Sequence, residues 1–200
     1  RMSITDTNGH PIIPESGIVH SEGQNGIVFF YSPGEIEIEA PVGNLTITVV
    51  HGFSTIAQVQ EIELEEDTTE TEINLNRIWN ANKEGWYSAD THFHLNYGGT
   101  SQLDPEDILV DLKAEEIDFG FPLVANLGNR FLGQDIFGWQ NNEQPILSFG
   151  QEVRSHFLGH LNLIGTHELY WPWVWGPRYD IYGADDKLNA EPLRFAREQG

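Results

Sequence analysis

The chain has no cysteine. That excludes a disulfide framework and any thiolate metal site, so a metal ion here has only His, Asp and Glu to hold it. Positive charge is scarce as well: 10 Lys+Arg stand against 31 Asp+Glu, a formal net charge of -21. Binding nucleic acid through its phosphates needs the opposite sign, and anionic membranes attract basic segments rather than acidic ones. No nucleic-acid partner is expected. Long apolar runs are missing too. None approaches the roughly 18 residues that would suggest a membrane-spanning helix, so no membrane insertion is expected. What is present suffices for a packed core. The 200 residues are 39% hydrophobic and 12% aromatic, enough for one large domain or two small ones.

Residues 1–84 read as all-β. Gly26-Ile27-Val28-Phe29-Phe30-Tyr31 is an apolar run closed by Ser32-Pro33-Gly34, a turn signal. Residues 35–39, 45–50, 59–64 and 71–75 alternate polar and apolar, as half-buried strands do. Short strands at this spacing predict a β-sandwich. Glu61, Glu63, Glu65, Glu66 and Asp67 are open to two readings, a calcium cluster or, more commonly, a solvated strand face and turn. His10, His20 and His51 lack partners at ligand spacing and read as surface or turn residues.

From residue 85 the pattern turns to β/α. Asp104-Pro105-Glu106-Asp107 is a helix start: Asp104 caps, Pro105 suits the first helical position, and Asp107 stands where a capping box has Glu. Residues 118–125 read as a buried strand ending in a loop at 126–129. Further strands are expected at 145–153 and 159–165, and a helix at 191–199. The chain stops where another strand is expected, which suggests part of a longer barrel-like domain.

The stretch that carries chemistry is Gly85-Trp86-Tyr87-Ser88-Ala89-Asp90-Thr91-His92-Phe93-His94, followed by Gly98-Gly99. Side chains alternate along a strand, so Asp90, His92 and His94 share a face. Two imidazoles placed so can begin a metal site, and a carboxylate two residues earlier can orient the first ring from behind. The alternative is a pair of unrelated polar residues on a solvated strand. Glu152 ends a mostly apolar strand, where an unpaired acid is costly. His160 follows after a short connection containing Arg154 and His156. A hairpin there brings Glu152 and His160 together, either as part of a shared metal site or with Glu152 in a structural ion pair to Arg154 or His156.

Together these residues resemble the PHP metallohydrolases, in particular the CehA/McbA-like branch. The likeness rests on Asp90-Thr91-His92-Phe93-His94, on Ser148-Phe149-Gly150-Gln151-Glu152-Val153, and on Gly159-His160-Leu161-Asn162-Leu163-Ile164-Gly165. It covers residues 85–200. Residues 1–84 resemble, more weakly, the carboxypeptidase-regulatory-like sandwiches that precede such domains. The resemblance implies an α+β multidomain protein, an N-terminal β-sandwich (1–84) followed by a partial PHP-type β/α barrel (85–200). It also implies metal ligands at His92, His94, Glu152 and His160. Two departures stand out. The loop Val124-Ala125-Asn126-Leu127 lacks the T-D-H histidine of many relatives, and the family's later H-P and D-x-H ligands are not in this chain.

The expected chemistry is metal-assisted hydrolysis of an ester or phosphoester by Zn, Mn or Fe, with more than one ion in the complete domain. Asn126, Arg154, Trp173 and Trp175 are the substrate-side candidates. The aromatic run from Tyr170 to Tyr182 either walls a pocket or packs against another part of the protein. The small-molecule substrate is one expected partner, and a chain carrying the missing barrel strands is another. Sandwich and acidity suggest a periplasmic or secreted location. The rival reading is a non-catalytic binding or scaffold protein with a degenerate PHP-like domain.

Overall fold

The computed structural model describes residues 1–22, 25–66, 69–96, 103–127, 130–155, 157–175 and 187–200, with only the backbone at 126, 127 and 130. Asp67, Gly98-Gly99, His156 and the aromatic run from 176 onward lie outside the described residues. The fold is β-rich, with two short α-helices among the described residues. It divides into two compact units, Arg1–Tyr87 with Val110–Ile117, and Ser88–Leu109 with Asp118–Gly200.

The first unit contains β1 (Met2–Asp6), β2 (Pro11–Ile12), β3 (Val19–Glu22), β4 (Ile27–Phe30), β5 (Gly43–Val49), β6 (Thr55–Ile56), β7 (Gln58–Leu64) and β8 (Asn76–Arg77). Antiparallel pairing orders the main sheet β3-β4-β1-β5-β7, with β2 also on β1. Ile4, Phe30, Leu45 and Ile47 form its core, and Ile36, Ile38, Ala40 and Ile73 pack on them. Those last four come from stretches expected to form or flank strands, yet residues 35–40 and 71–75 carry no ladder. Alternation supplies an apolar face that lays the chain extended over a core, but a strand also needs a neighbour's free backbone groups. Among the described residues the one other ladder in this unit is the β6–β8 ribbon, not a second facing sheet.

On β7, exposed Glu61 and Glu63 alternate with part-buried Ile62 and Leu64, a solvated face. His20 is not a turn residue. It lies on β3 with its ring stacked on Phe29 at 5.3 Å and edge-on to Tyr31 at 5.2 Å, and burial lowers its pKa.

The second unit contains β9 (Ala89–Phe93), β10 (Phe119–Leu127), β11 (Arg130–Leu132), β12 (Ile146–Leu147), β13 (Gly150–Ser155), β14 (Gly159–Leu163), β15 (Val174–Trp175) and α2 (Ala190–Glu198). The helix α1 (Pro105–Ala114) connects β9 to β10, which run parallel as a helical crossover requires. At its start the Asp107 half of the expected capping box forms: Asp107 Oδ2 accepts the Asp104 N–H at 2.9 Å. Its end is a Schellman turn, with Ile117 N–H on Leu112 O (2.9 Å) and Glu116 N–H on Lys113 O (3.3 Å). Glu116 takes the left-handed position (φ 55) that glycine usually fills.

Sheet order is β11-β10-β13-β14, with β9 and β12 also on β10 and β15 on β13. The β10–β13 and β13–β15 pairs are parallel and β13–β14 is an antiparallel hairpin. Repeated β/α alternation is therefore not seen among the described residues: one βαβ unit forms, and the chain returns from β10 through β11 and β12 without a helix. Residues 133–145 hold three Gln, two Asn, two Gly and a Pro, and no helical period. β10 also runs on to Leu127, through residues expected in a loop. The sheet curls strongly. Asn162 on edge strand β14 donates to the Thr91 carbonyl on the opposite edge strand β9 at 3.0 Å. Gly150 permits this curvature, since a Cβ there would sit 2.6 Å from the Leu163 carbonyl oxygen.

Candidate metal centre

The centre forms on the curled sheet, where β9 and β13 bring their side chains together. Register on β9 slips by one residue: Asp90 faces Gly120, and Phe93 faces Pro122. A bulge thus interrupts the simple alternation read from sequence. Asp90 supports that bulge. Its Oδ1 accepts the His92 backbone N–H at 3.0 Å, so it holds the main chain instead of orienting the ring.

Glu152 is the hub. Its side chain is 1% exposed, and His94 Nε2 lies 3.2 Å from Oε2. His92 Nε2 is 3.6 Å and His160 Nδ1 2.6 Å from Oε1. Arg154 places Nε at 2.8 Å and Nη2 at 2.6 Å from Oε2. The candidate ligand atoms of His92, His94 and Glu152 all lie within 4.8 Å of one another. His160 reaches this group through Glu152. All four expected ligands therefore meet around one carboxylate, and so does Arg154, in the ion pair that the sequence left open as an alternative. Burial alone would raise the Glu152 pKa, but hydrogen bonds from His94 and Arg154 and the charge on Arg154 outweigh it and push the pKa down to about 2.

The His94 ring is oriented by the main chain. Its Nδ1 lies 2.9 Å from the Leu123 carbonyl oxygen. A carbonyl only accepts, so Nδ1 carries the proton. Nε2 then meets Glu152 Oε2 either through a second ring proton, in the hydrogen bond that helps hold the Glu152 pKa down, or through a cation in its place. Two lone pairs at 3.2 Å repel unless a proton or a cation stands between them. A ligating histidine characteristically gives its other N–H to a main-chain carbonyl in this way. The donor set of imidazole and carboxylate suits zinc, manganese or iron.

The substrate-side candidates fare differently. Arg154 is committed to Glu152. Trp173 is buried and packs edge-on to Phe131 at 4.9 Å. Trp175 is fully buried with Val153, Leu163 and Tyr170. Both take the packing alternative. Asn126 lies on β10 opposite Phe131, and its side chain is outside the described residues.

Three contributors had no role assigned from the sequence. The Leu123 carbonyl is backbone and leaves no residue-type signal. Asn162 shares the His160 face of β14 by simple alternation, which could have found it. Buried Gln151 pairs with Tyr170 like a strand neighbour, Nε2 to Tyr170 O at 2.9 Å and Oε1 from Tyr170 N at 2.7 Å, and so anchors the aromatic segment behind Glu152. No family model, curated protein or solved structure matches the chain.

Proposed function

We propose that the Glu152 cluster binds a divalent transition metal and belongs to a hydrolase acting on ester or phosphoester bonds, of the PHP type its motifs resemble. The observation that carries this reading is the convergence of three imidazoles, His92, His94 and His160, on the buried Glu152 carboxylate, with the His94 ring fixed by Leu123 O. His94 and Glu152 form the buried side of the centre. His92 and His160, 48% and 46% exposed, form the side open to a substrate. Asn162 fixes that open side by tying β14 to β9 beside His92. A bound ion of this class lowers the pKa of water and polarises the ester or phosphoryl oxygen.

The test is metal content of the purified chain against His92→Ala with His94→Ala, alongside hydrolysis of a phosphomonoester and a carboxylic ester. Substantial metal in the wild type, most of it lost in the double variant, supports the reading; equal metal in both makes the histidine strand structural. The Arg154 fork favours a second reading, a non-catalytic binding protein in which Glu152 is a structural charge pair. That reading requires no metal and no hydrolysis.

A further inference from the structure

Resting on the metal-centre reading, the arrangement of Arg154 goes further. Oε2 of Glu152 receives Arg154 Nε, Arg154 Nη2 and His94 Nε2, at 2.8, 2.6 and 3.2 Å. One carboxylate oxygen has two lone pairs, so the two N–H groups of Arg154 alone fill it. Oε2 is the carboxylate oxygen that faces His94, so an ion shared by His94 and Glu152 through it draws on the same oxygen. The guanidinium cannot lose its charge to make room, and its side chain is only 13% exposed, so water screens it poorly. We infer that Arg154 is a built-in competitor for the metal at Glu152, setting how tightly the centre holds its ion. It does so in two ways. Its fork occupies the electron pairs the ion needs, and its fixed positive charge repels a divalent cation a few ångströms away.

Substrate attraction is the more familiar task for an arginine near a hydrolytic centre, and it makes a different prediction. An arginine that only attracts an anionic substrate leaves metal affinity unchanged on removal. One that competes for Glu152 raises it.

Arg154→Gln keeps a hydrogen-bond donor toward Glu152 and removes the charge, and Arg154→Lys keeps the charge without the fork. Zn²⁺ and Mn²⁺ affinities of the full chain are measured by competition with a chromophoric chelator, with metal-induced shift in melting temperature as a second readout. Expected is at least about tenfold tighter binding in Arg154→Gln, the equivalent of roughly 1.4 kcal/mol, and a larger metal-induced melting shift. Arg154→Lys should fall between Arg154→Gln and wild type. The inference is overturned if wild type binds metal and Arg154→Gln binds it equally or more weakly. If neither wild type nor either variant takes up metal, the metal-centre reading falls, and this inference with it. Should Arg154→Gln fail to fold, Arg154→Lys decides: affinity equal to or below wild type overturns the inference.

Discussion

Two carboxylates, one in each unit, are each held by an arginine and each face an imidazole whose Nδ1 meets a main-chain carbonyl. In the first unit His51 Nδ1 lies 3.1 Å from Ala114 O, and its Nε2 lies 3.6 Å from Glu116 Oε1. In the second, His94 stands between Leu123 O and Glu152 in the same manner. The remaining partners differ. Glu116 also binds Arg77 and accepts both the Ser54 hydroxyl and the Ser54 N–H. Every one of those brings a hydrogen. Glu152 instead meets two more imidazoles, His92 and His160, whose rings carry lone pairs as well as protons. Donor-filled oxygens make a staple, one that holds Glu116 in the left-handed conformation ending α1. A carboxylate ringed by imidazoles has the donors of a metal site.

The largest effect expected from this contrast is on metal. His94→Ala should lower metal affinity by one to two orders of magnitude, and Glu152→Gln by at least as much. His51→Ala and Glu116→Gln should leave it unchanged. Elemental analysis after dialysis against defined free metal reads all four. A metal loss in the Glu116 variant matching that in the Glu152 variant would erase the distinction.

Stability of the chelated protein comes next. Glu152 is compensated by Arg154, so Glu152→Gln breaks a buried ion pair and should cost about 3–5 kcal/mol. Glu116→Gln acts at a partly exposed staple, where hydrogen bonds to the charged carboxylate are worth about 1.5–3 kcal/mol. Urea denaturation of both variants measures the gap. A Glu152→Gln protein as stable as wild type would mean that Arg154 contributes nothing there without metal.

The pH dependence of the chelated protein sharpens the same comparison. Both carboxylates have depressed pKa values. At Glu116, burial raises the pKa, but the Ser54 hydrogen bonds and the charge on Arg77 outweigh it, and the net direction is down. At Glu152 the value falls from 4.5 to about 2. A depressed carboxylate contributes stability that is complete above its unfolded pKa and is lost as pH falls through the folded one. Between pH 4.5 and about 2 the Glu152 contribution should therefore drain away, in total about 3 kcal/mol at 1.36 kcal/mol per pKa unit. Glu152→Gln should flatten that limb of the stability curve. A limb of unchanged slope would show that other groups carry it.

Much of this contrast was legible in the sequence, and where it was not the reasons are specific. The PHP resemblance joined His92 and His94 on one strand to Glu152 and His160 across a hairpin, so the members of the second-unit cluster were legible in the sequence. The Glu116 staple was not. It joins a turn at Gly52–Ser54, the ribbon strand at Arg77 and a helix end more than 30 residues later, and no local pattern links such distant pieces. Arg154 could be placed beside Glu152 by its i+2 spacing on β13, but spacing alone could not choose between an ion pair and a substrate contact. Residues 35–39 and 71–75 showed strand alternation, yet whether a neighbour offers a ladder is decided by tertiary pairing. Trp173 and Trp175 read equally well as pocket wall or packing, because an aromatic residue type says nothing of its depth.

Smaller than the Glu152 effects are those expected at the glycine beside each cluster. Gly52 has φ +56, and a Cβ there would collide with the Glu116 side chain. The obstacle is a side chain able to swing, so Gly52→Ala should loosen the staple and add backbone strain, costing about 1–2 kcal/mol in all. Gly150 meets the main chain: its Cβ would lie 2.6 Å from Leu163 O and 2.9 Å from Leu123 Cδ2. A carbonyl in a strand cannot turn aside without spreading β13 from β14, so Gly150→Ala should cost about 2–3 kcal/mol. The two should also differ in reach. Spreading β13 and β14 shifts His160 and Asn162 relative to Glu152, so Gly150→Ala should weaken metal binding about tenfold as well, the scale of losing a supporting contact. Gly52→Ala should cost stability alone. Urea denaturation and chelator competition on the same two variants test both halves, and a Gly150→Ala protein with wild-type metal affinity would mean that the centre does not depend on the tight curl of the sheet.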